Sequence, residues 1–305
     1  MADTPTSRWL SPRAVTYLTE AGFDDWLVTA DGRVDKLIEK WKIENATPVA
    51  EAGRSAVIRG THEGRTVALK VEPTAAMAAT IVDLTDQWPH LMPPVRKYDL
   101  TEGAYLCDWV DGKLAADMTD SGTNLVPHLA AHLPATPSPA VTAKYSDQAK
   151  KWTYVTSRTD QSVERAIRLP NPPVSVDTIK ARAATVLTIK TKLSAEQLQL
   201  CHGDLVPGNI ITTHHPDTTL KMYLLDANPF YGDVAGDISM YTVRSAQTSE
   251  MLTHNLETAA DTLRRPVTHL FAWAKLHAAT YATYLATFNH NVPEPVAALN
   301  STARS

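Results

Sequence analysis

Cysteine is scarce in this chain: two thiols in 305 residues, Cys107 and Cys201, far apart in sequence and each inside an apolar run. Such a pair gives no framework of the kind that staples small secreted domains, and both are read as buried free thiols. No C-x-x-C or similar metal-ligand spacing occurs. No apolar run approaches the ~18 residues of a membrane span, and the opening MADTPTSRWLSPRA lacks the apolar stretch of a signal peptide. Charge of one sign is also lacking, since the formal net charge is −4, too mild to imply a nucleic-acid partner or an acidic tail. The phosphate loop G-x-x-x-x-G-K-[ST] is absent, which argues against a P-loop enzyme. The expectation is a cytoplasmic protein with no nucleic-acid, membrane or evident protein partner.

Apolar residues make up 44% of the chain, enough to build one large domain or two smaller ones with proper cores. Up to Lys113 there are 13 basic and 17 acidic residues, and beyond it 16 of each, so the acidity sits in the first third. Residues 12–21 and 31–43 read as short lead-in helices, the second with Val34, Leu37, Ile38 and Trp41 at helical spacing. TPVAEAGRSAVIRGTHEGRTVALKVEP then reads as strand, glycine turn, strand, a turn at Glu63-Gly64, and a strand ending at Lys70. A helix over 75–88 and two strands, VRKYDL and GAYLCDWV, complete a five-stranded antiparallel sheet with one helix.

Beyond Gly112 the chain becomes mainly helical, with segments near 143–168 and 176–193 set apart by the proline-rich HLPATPSPAV and RLPNPPVS, and helix again over 238–288. The fold class expected is α+β in two lobes: residues 1–110 with the lead-in helices and the five-stranded sheet, and residues 111–305 as a mainly helical lobe.

Between Leu200 and Asp233 lie four aspartates, two asparagines and three histidines, bracketed by the strand-like runs LQLC, NIITT and KMYLL. Within it, His202-Gly203-Asp204-Leu205-Val206-Pro207-Gly208-Asn209 has the spacing H-x-D-L-x-x-x-N of a kinase catalytic loop. Phosphoryl transfer wants these residue types. Asp204 can take the proton of an attacking hydroxyl, and Asn209 can offer an oxygen to Mg²⁺. Asp226, after a buried strand, can bridge metal to phosphates. His202 reads as a packed loop residue. Asp233 and Asp237, in GDVAGD, read as helix caps or as braces for that loop.

The first lobe supplies the complement. Lys70 ends RTVALK, much as the lysine of V-A-I-K does, placing an ammonium on the α- and β-phosphates. Gly53, Arg54 and Ser55 sit between the first two strands, where backbone N–H groups can meet phosphates. The linker LCDWVDG places backbone groups near Asp108 and Val110 for an adenine.

HGDLVPGNI, LLDANPFYGDVAGDIS, the lysine strand and the two-lobed order together resemble the aminoglycoside phosphotransferase family, most of all its streptomycin 6-phosphotransferase and hydroxyurea phosphotransferase branch. The resemblance spans residues 35–240 and implies an ATP-dependent kinase of a small hydroxylated molecule, with GTP left open as donor and Mg²⁺ as cofactor. It departs from the family in three places. The helix 75–88 contains no glutamate to pair with the lysine; Asp83 is the candidate substitute, Asp86 a worse one, and Glu72 stands too close along the strand. DANP replaces the usual D-P after the metal aspartate, and Val234 replaces a second proline. The substrate stays open between an aminoglycoside antibiotic, as in resistance, and an ordinary metabolite alcohol or sugar. A polycation would need acids such as Asp160, Glu164, Glu250, Glu257 and Asp261 to converge. A catalytically weak nucleotide-binding protein is the alternative of another class.

Overall fold

Ser11 accepts the Ala14 N–H and Pro12 takes the first helical position, so helix α1 (Pro12–Glu20) starts where the backbone donors would otherwise be unpaired. The computed structural model describes residues 7–121, 124–134, 144, 148–194, 197–214 and 220–301. They divide into two compact units, Met1–Gly112 with Thr213–Leu225, and Lys113–Thr212 with Asp226–Ser305.

In the first unit, helix α2 (Asp24–Trp41) begins seven residues before the expected Asp31. Its buried stripe of Trp26, Ala30, Val34, Leu37 and Trp41 extends the helical period upstream, while Asp24 and Asp25 favour the positive helix end. Gly32 does not break it. A Cβ there would meet nothing within 4 Å, so its only cost is the glycine's own backbone freedom.

Strands β1 (Glu44–Pro48), β2 (Ala56–His62), β3 (Arg65–Val71), β4 (Val95–Asp99) and β5 (Ala104–Asp108) form one antiparallel sheet in the order β1-β2-β3-β5-β4. The β2–β3 turn is Glu63-Gly64, both with positive φ (51° and 74°), the twist that suits a two-residue hairpin. On β3 the period of two sends Val67, Leu69 and Val71 into the core shared with α1 and α2. Lys70 faces the other way. Thr74 caps α3 (Ala75–Gln87) by accepting the Met77 N–H.

The second unit is mainly helical. β6 (Lys113–Leu114) pairs antiparallel with β8 (Ile210–His214) through Lys113↔Thr212 and Leu114↔Ile211. Between them run α4 (Val126–His132), α5 (Gln148–Arg168), α6 (Val176–Lys190) and β7 (Gln199–Cys201). RLPNPPVS separates α5 from α6 as expected, whereas most of HLPATPSPAV and the helix start expected at Ala143 lie outside the described residues. β9 (Leu220–Leu224) belongs to the first unit, where the Leu224 N–H donates to the Leu91 carbonyl at 2.6 Å.

A short strand the sequence did not suggest, β10 (Phe230–Gly232), pairs antiparallel with β7. Then follow α7 (Val234–Ser245), α8 (Ser249–Leu263), α9 (Val267–Thr287) and α10 (Glu294–Ser301). The antiparallel sheet of one unit and the helices of the other make the α+β class expected. Among the described residues no helix is long and apolar enough to cross a membrane.

Candidate active site

In the first unit, the side chain of Lys70 is 12% exposed, and a carboxylate that meets its ammonium belongs to Glu72, at 3.2 Å. This corrects the expectation that Glu72 is too close along the strand. Residues i and i+2 share one face of a strand, and a four-carbon lysine stem folds back across that distance. Asp83 is half-buried on α3.

Of the loop expected to meet phosphates, Ser55 is buried and Gly53 and Arg54 are half-buried. The loop is anchored to the start of α1, since the Ser11 hydroxyl donates to the Ala52 carbonyl and the Arg13 guanidinium lies 3.6 Å from where a Cβ of Gly53 would be. In the linker, Asp108 takes a two-point ion pair from Arg96, its N–H donates to the Pro94 carbonyl, and the Trp109 N–H donates to Thr66. Val110 is half-buried just beyond. The linker backbone is thereby tied to both flanking segments.

The second unit holds the loop from His202 to Asn209. Gly203 has φ +78° and lies so close to the next segment that a Cβ would come within 1.9 Å of the Asn228 carbonyl oxygen. Only glycine fits there. The Asn228 N–H in turn donates to the His202 carbonyl at 2.8 Å, which ties the segment after Asp226 to the loop. Asp226 itself has φ 54°, a left-handed turn at which the chain bends sharply after Leu225.

His202 is fully buried, and its Nδ1 accepts the Asp204 N–H at 3.3 Å. Asn209 Nδ2 donates to the Asp204 backbone carbonyl at 2.9 Å and reaches its Oδ2 at 3.3 Å. With its amide nitrogen so engaged, Asn209 turns its Oδ1 elsewhere, available as an oxygen donor.

Two buried acids hold this loop from α7. Asp237 accepts the backbone N–H groups of His202 and, at 3.0 Å, of Gly203. Burial pushes its carboxyl up to about 7, against those two hydrogen bonds and with help from the charges of Asp204 and Asp233. Asp233 caps α7 by accepting the Ala235 N–H at 3.2 Å, and its Oδ2 binds His269 Nε2 at 2.5 Å and Trp273 Nε1 at 2.7 Å. Cys201 is buried in β7 and Cys107 half-buried in β5. Both thiols are free, and burial raises them to about 12 for Cys107 and well above the ordinary value for Cys201, so neither is a nucleophile.

The residue that sequence reasoning missed is Arg158. From α5 it donates to Asp204 Oδ1 at 3.0 Å, with the two side chains 38% and 23% exposed. No local motif marks it, because the contact joins positions 46 residues apart. The acids put forward for a polycation, Asp160 and Glu164 on α5 and Glu250, Glu257 and Asp261 on α8, are all exposed. Among the described residues no cluster of three or more His, Cys, Asp or Glu side chains could hold a metal ion. A magnesium site built of one amide, one carboxylate, water and phosphate oxygens does not require one.

No family model matches the chain, and no curated protein sequence does. Solved structures do. An ethanolamine kinase of Plasmodium vivax is 11% identical with a TM-score of 0.56, covering 92% of this chain and 84% of its own. A choline kinase of Streptococcus pneumoniae is also 11% identical, with a TM-score of 0.54 and coverages of 88% and 95%. An aminoglycoside 2′-phosphotransferase-IIIa, solved as its GDP complex, is 15% identical with a TM-score of 0.57 and coverages of 85% and 93%. At these identities the likeness shows a shared fold, that of small-molecule kinases.

Proposed function

We propose that this protein is an ATP- and Mg²⁺-dependent O-phosphotransferase acting on a hydroxyl of a small molecule. The observation that carries this reading is the hydrogen-bonded loop in which Asn209 grips Asp204 by backbone and side chain while Asp237 holds His202 and Gly203. A loop braced in this way fixes a carboxylate where a hydroxyl proton can be taken, which is most of what phosphoryl transfer asks of a protein. Asp204 is the proposed general base.

Asn209 Oδ1 and the Asp226 carboxylate are hard oxygen donors of the kind magnesium takes, and they would hold it. That ion would neutralise charge on the β- and γ-phosphates. Lys70, positioned by Glu72 and with Asp83 as the proposed helix carboxylate, holds the α- and β-phosphates. Gly53, Arg54 and Ser55 supply the loop above them, and backbone groups near Asp108 and Val110 take the nucleotide base. His202, Asp233 and Asp237 support the catalytic loop. The domain division of this reading is a nucleotide-holding part up to residue 110 and a catalytic, substrate-holding part from 111, in a cytoplasmic enzyme.

The solved neighbours with GDP or ADP support nucleotide use, and ATP is the proposed donor. The streptomycin and hydroxyurea branch is supported by the Asp226 to Asp237 spacing alone, and antibiotic resistance as a role rests on no further feature of the chain. The test is incubation with Mg·ATP and a panel of hydroxylated compounds, streptomycin included, read by mass spectrometry. Gain of one phosphate on any of them, lost in Asp204→Ala, is the expected result. Nucleotide binding without transfer over a broad panel would instead favour a binding protein.

A further inference from the structure

A cavity in the second unit opens among α5, α7 and α9, lined by Arg158, Arg244, His277, Thr159, Thr280 and Trp273 with apolar side chains between them. No carboxylate lines it among the described residues. Arg158 joins this cavity to Asp204, which it contacts at 3.0 Å. Arg244 lies over the Tyr281 ring, 4.5 Å from its centroid, so its guanidinium is held by the face of that ring.

His277 stacks on Trp273 with ring centroids 5.7 Å apart and hydrogen-bonds the backbone of Gly236. Its Nε2 is buried, with no hydrogen-bond partner. Burial first, and then the charges of Arg158 and Arg244, hold this imidazole down to about 3, neutral at any working pH. The cavity thus brings two guanidinium groups together, and the acids put forward for a cationic substrate are not among its lining residues.

We infer that this cavity is the subsite for an oxyanion of the substrate, so that the molecule phosphorylated is a hydroxylated carboxylate or phosphate and not a polycation. Arg158 and Arg244 take the oxyanion, with the His277 ring in the wall beside them. Because Arg158 also touches Asp204, the anionic group lies beside the base and guides the reacting hydroxyl to it. This rests on the phosphotransferase reading, since only if Asp204 is the base does a group held beside it belong to a substrate.

The test uses four matched pyranoses on the full-length protein: glucuronate, glucose 6-phosphate, glucose and glucosamine. Inorganic phosphate serves as a minimal probe. Phosphate titration should move the His277 ring signals in nitrogen-resolved NMR saturably, and Arg244→Gln should weaken that response at least tenfold while Arg244→Lys restores part of it. One or both anionic sugars should bind at least tenfold better than glucose, with glucosamine weakest, and which anion wins tells carboxylate from phosphate. An equal response to all four or to none, a silent His277, or an unchanged response in Arg244→Gln overturns the inference. Failure of the kinase reading looks different: Mg·ATP then gives no thermal shift, whatever the sugars do.

Discussion

Lys70 and Glu72 stand two residues apart on one strand, and their charged ends meet at 3.2 Å with both side chains nearly withdrawn from water. A buried ammonium kept beside a carboxylate is held in place, and that preorganisation would serve the phosphate-binding role proposed for Lys70. Glu72→Gln should therefore weaken nucleotide binding about tenfold, roughly 1.4 kcal/mol, as read by calorimetric titration. An unchanged Kd would mean that Glu72 does not position the lysine.

Removal of the two aspartates proposed for chemistry and for metal should have different consequences. Asp204→Ala should lower kcat by about 10²–10⁴ and leave nucleotide affinity nearly intact, since general-base assistance acts on the transition state. Asp226→Ala should remove Mg²⁺-dependent nucleotide affinity itself. Equal loss of binding in both variants contradicts the assigned roles.

Gly203→Ala should damage the proposed catalytic loop without touching any charge. The residue sits at φ +78° and a methyl group would press on the Asn228 carbonyl, so the expected destabilisation is at least about 2 kcal/mol. Thermal unfolding and kcat should fall together. A variant with native melting and activity would show that the two segments separate freely.

Asp237 gives a pH dependence with a definite sign. Its carboxyl lies at about 7 in the folded chain against an ordinary 3.8. Between those values the folded chain holds more protons than the unfolded one, so this group's contribution to stability falls as pH rises from about 4 to about 7 and then levels off. Denaturant unfolding at several pH values should show the stability difference between wild type and Asp237→Asn shrinking across that window. A difference that is flat or grows would refute the raised carboxyl.

Asp233 caps α7 and satisfies His269 and Trp273 at once. Asp233→Ala should cost roughly 3–5 kcal/mol, because it removes a cap and strands two buried ring nitrogens. Chemical denaturation measures it. A loss under 1 kcal/mol would show that water replaces the carboxylate.

Much of this was legible in the sequence because it is local. The Glu63-Gly64 turn, the alternation on β3 and the spacing from His202 to Asn209 are each set by residues within a few positions of one another. The misses have physical causes too. The helix expected from residue 31 starts at Asp24, because the buried stripe of Trp26, Ala30 and Val34 carries it through Gly32. β10 has three residues, too few for a period to declare itself, and exists because β7 offers it an edge. Glu72 was set aside on sequence distance, which ignores that alternate strand residues share a face.

The chain's letters alone determined the antiparallel sheet, the helical second half and the block of acids, because turn chemistry and hydrophobic period act over a handful of residues. Which cation meets Asp204, and which side chains line the cavity beside it, was decided only by the packing of α5, α7 and α9. Those helices read as ordinary amphipathic segments one by one, and a contact between them depends on crossing geometry that no single segment encodes.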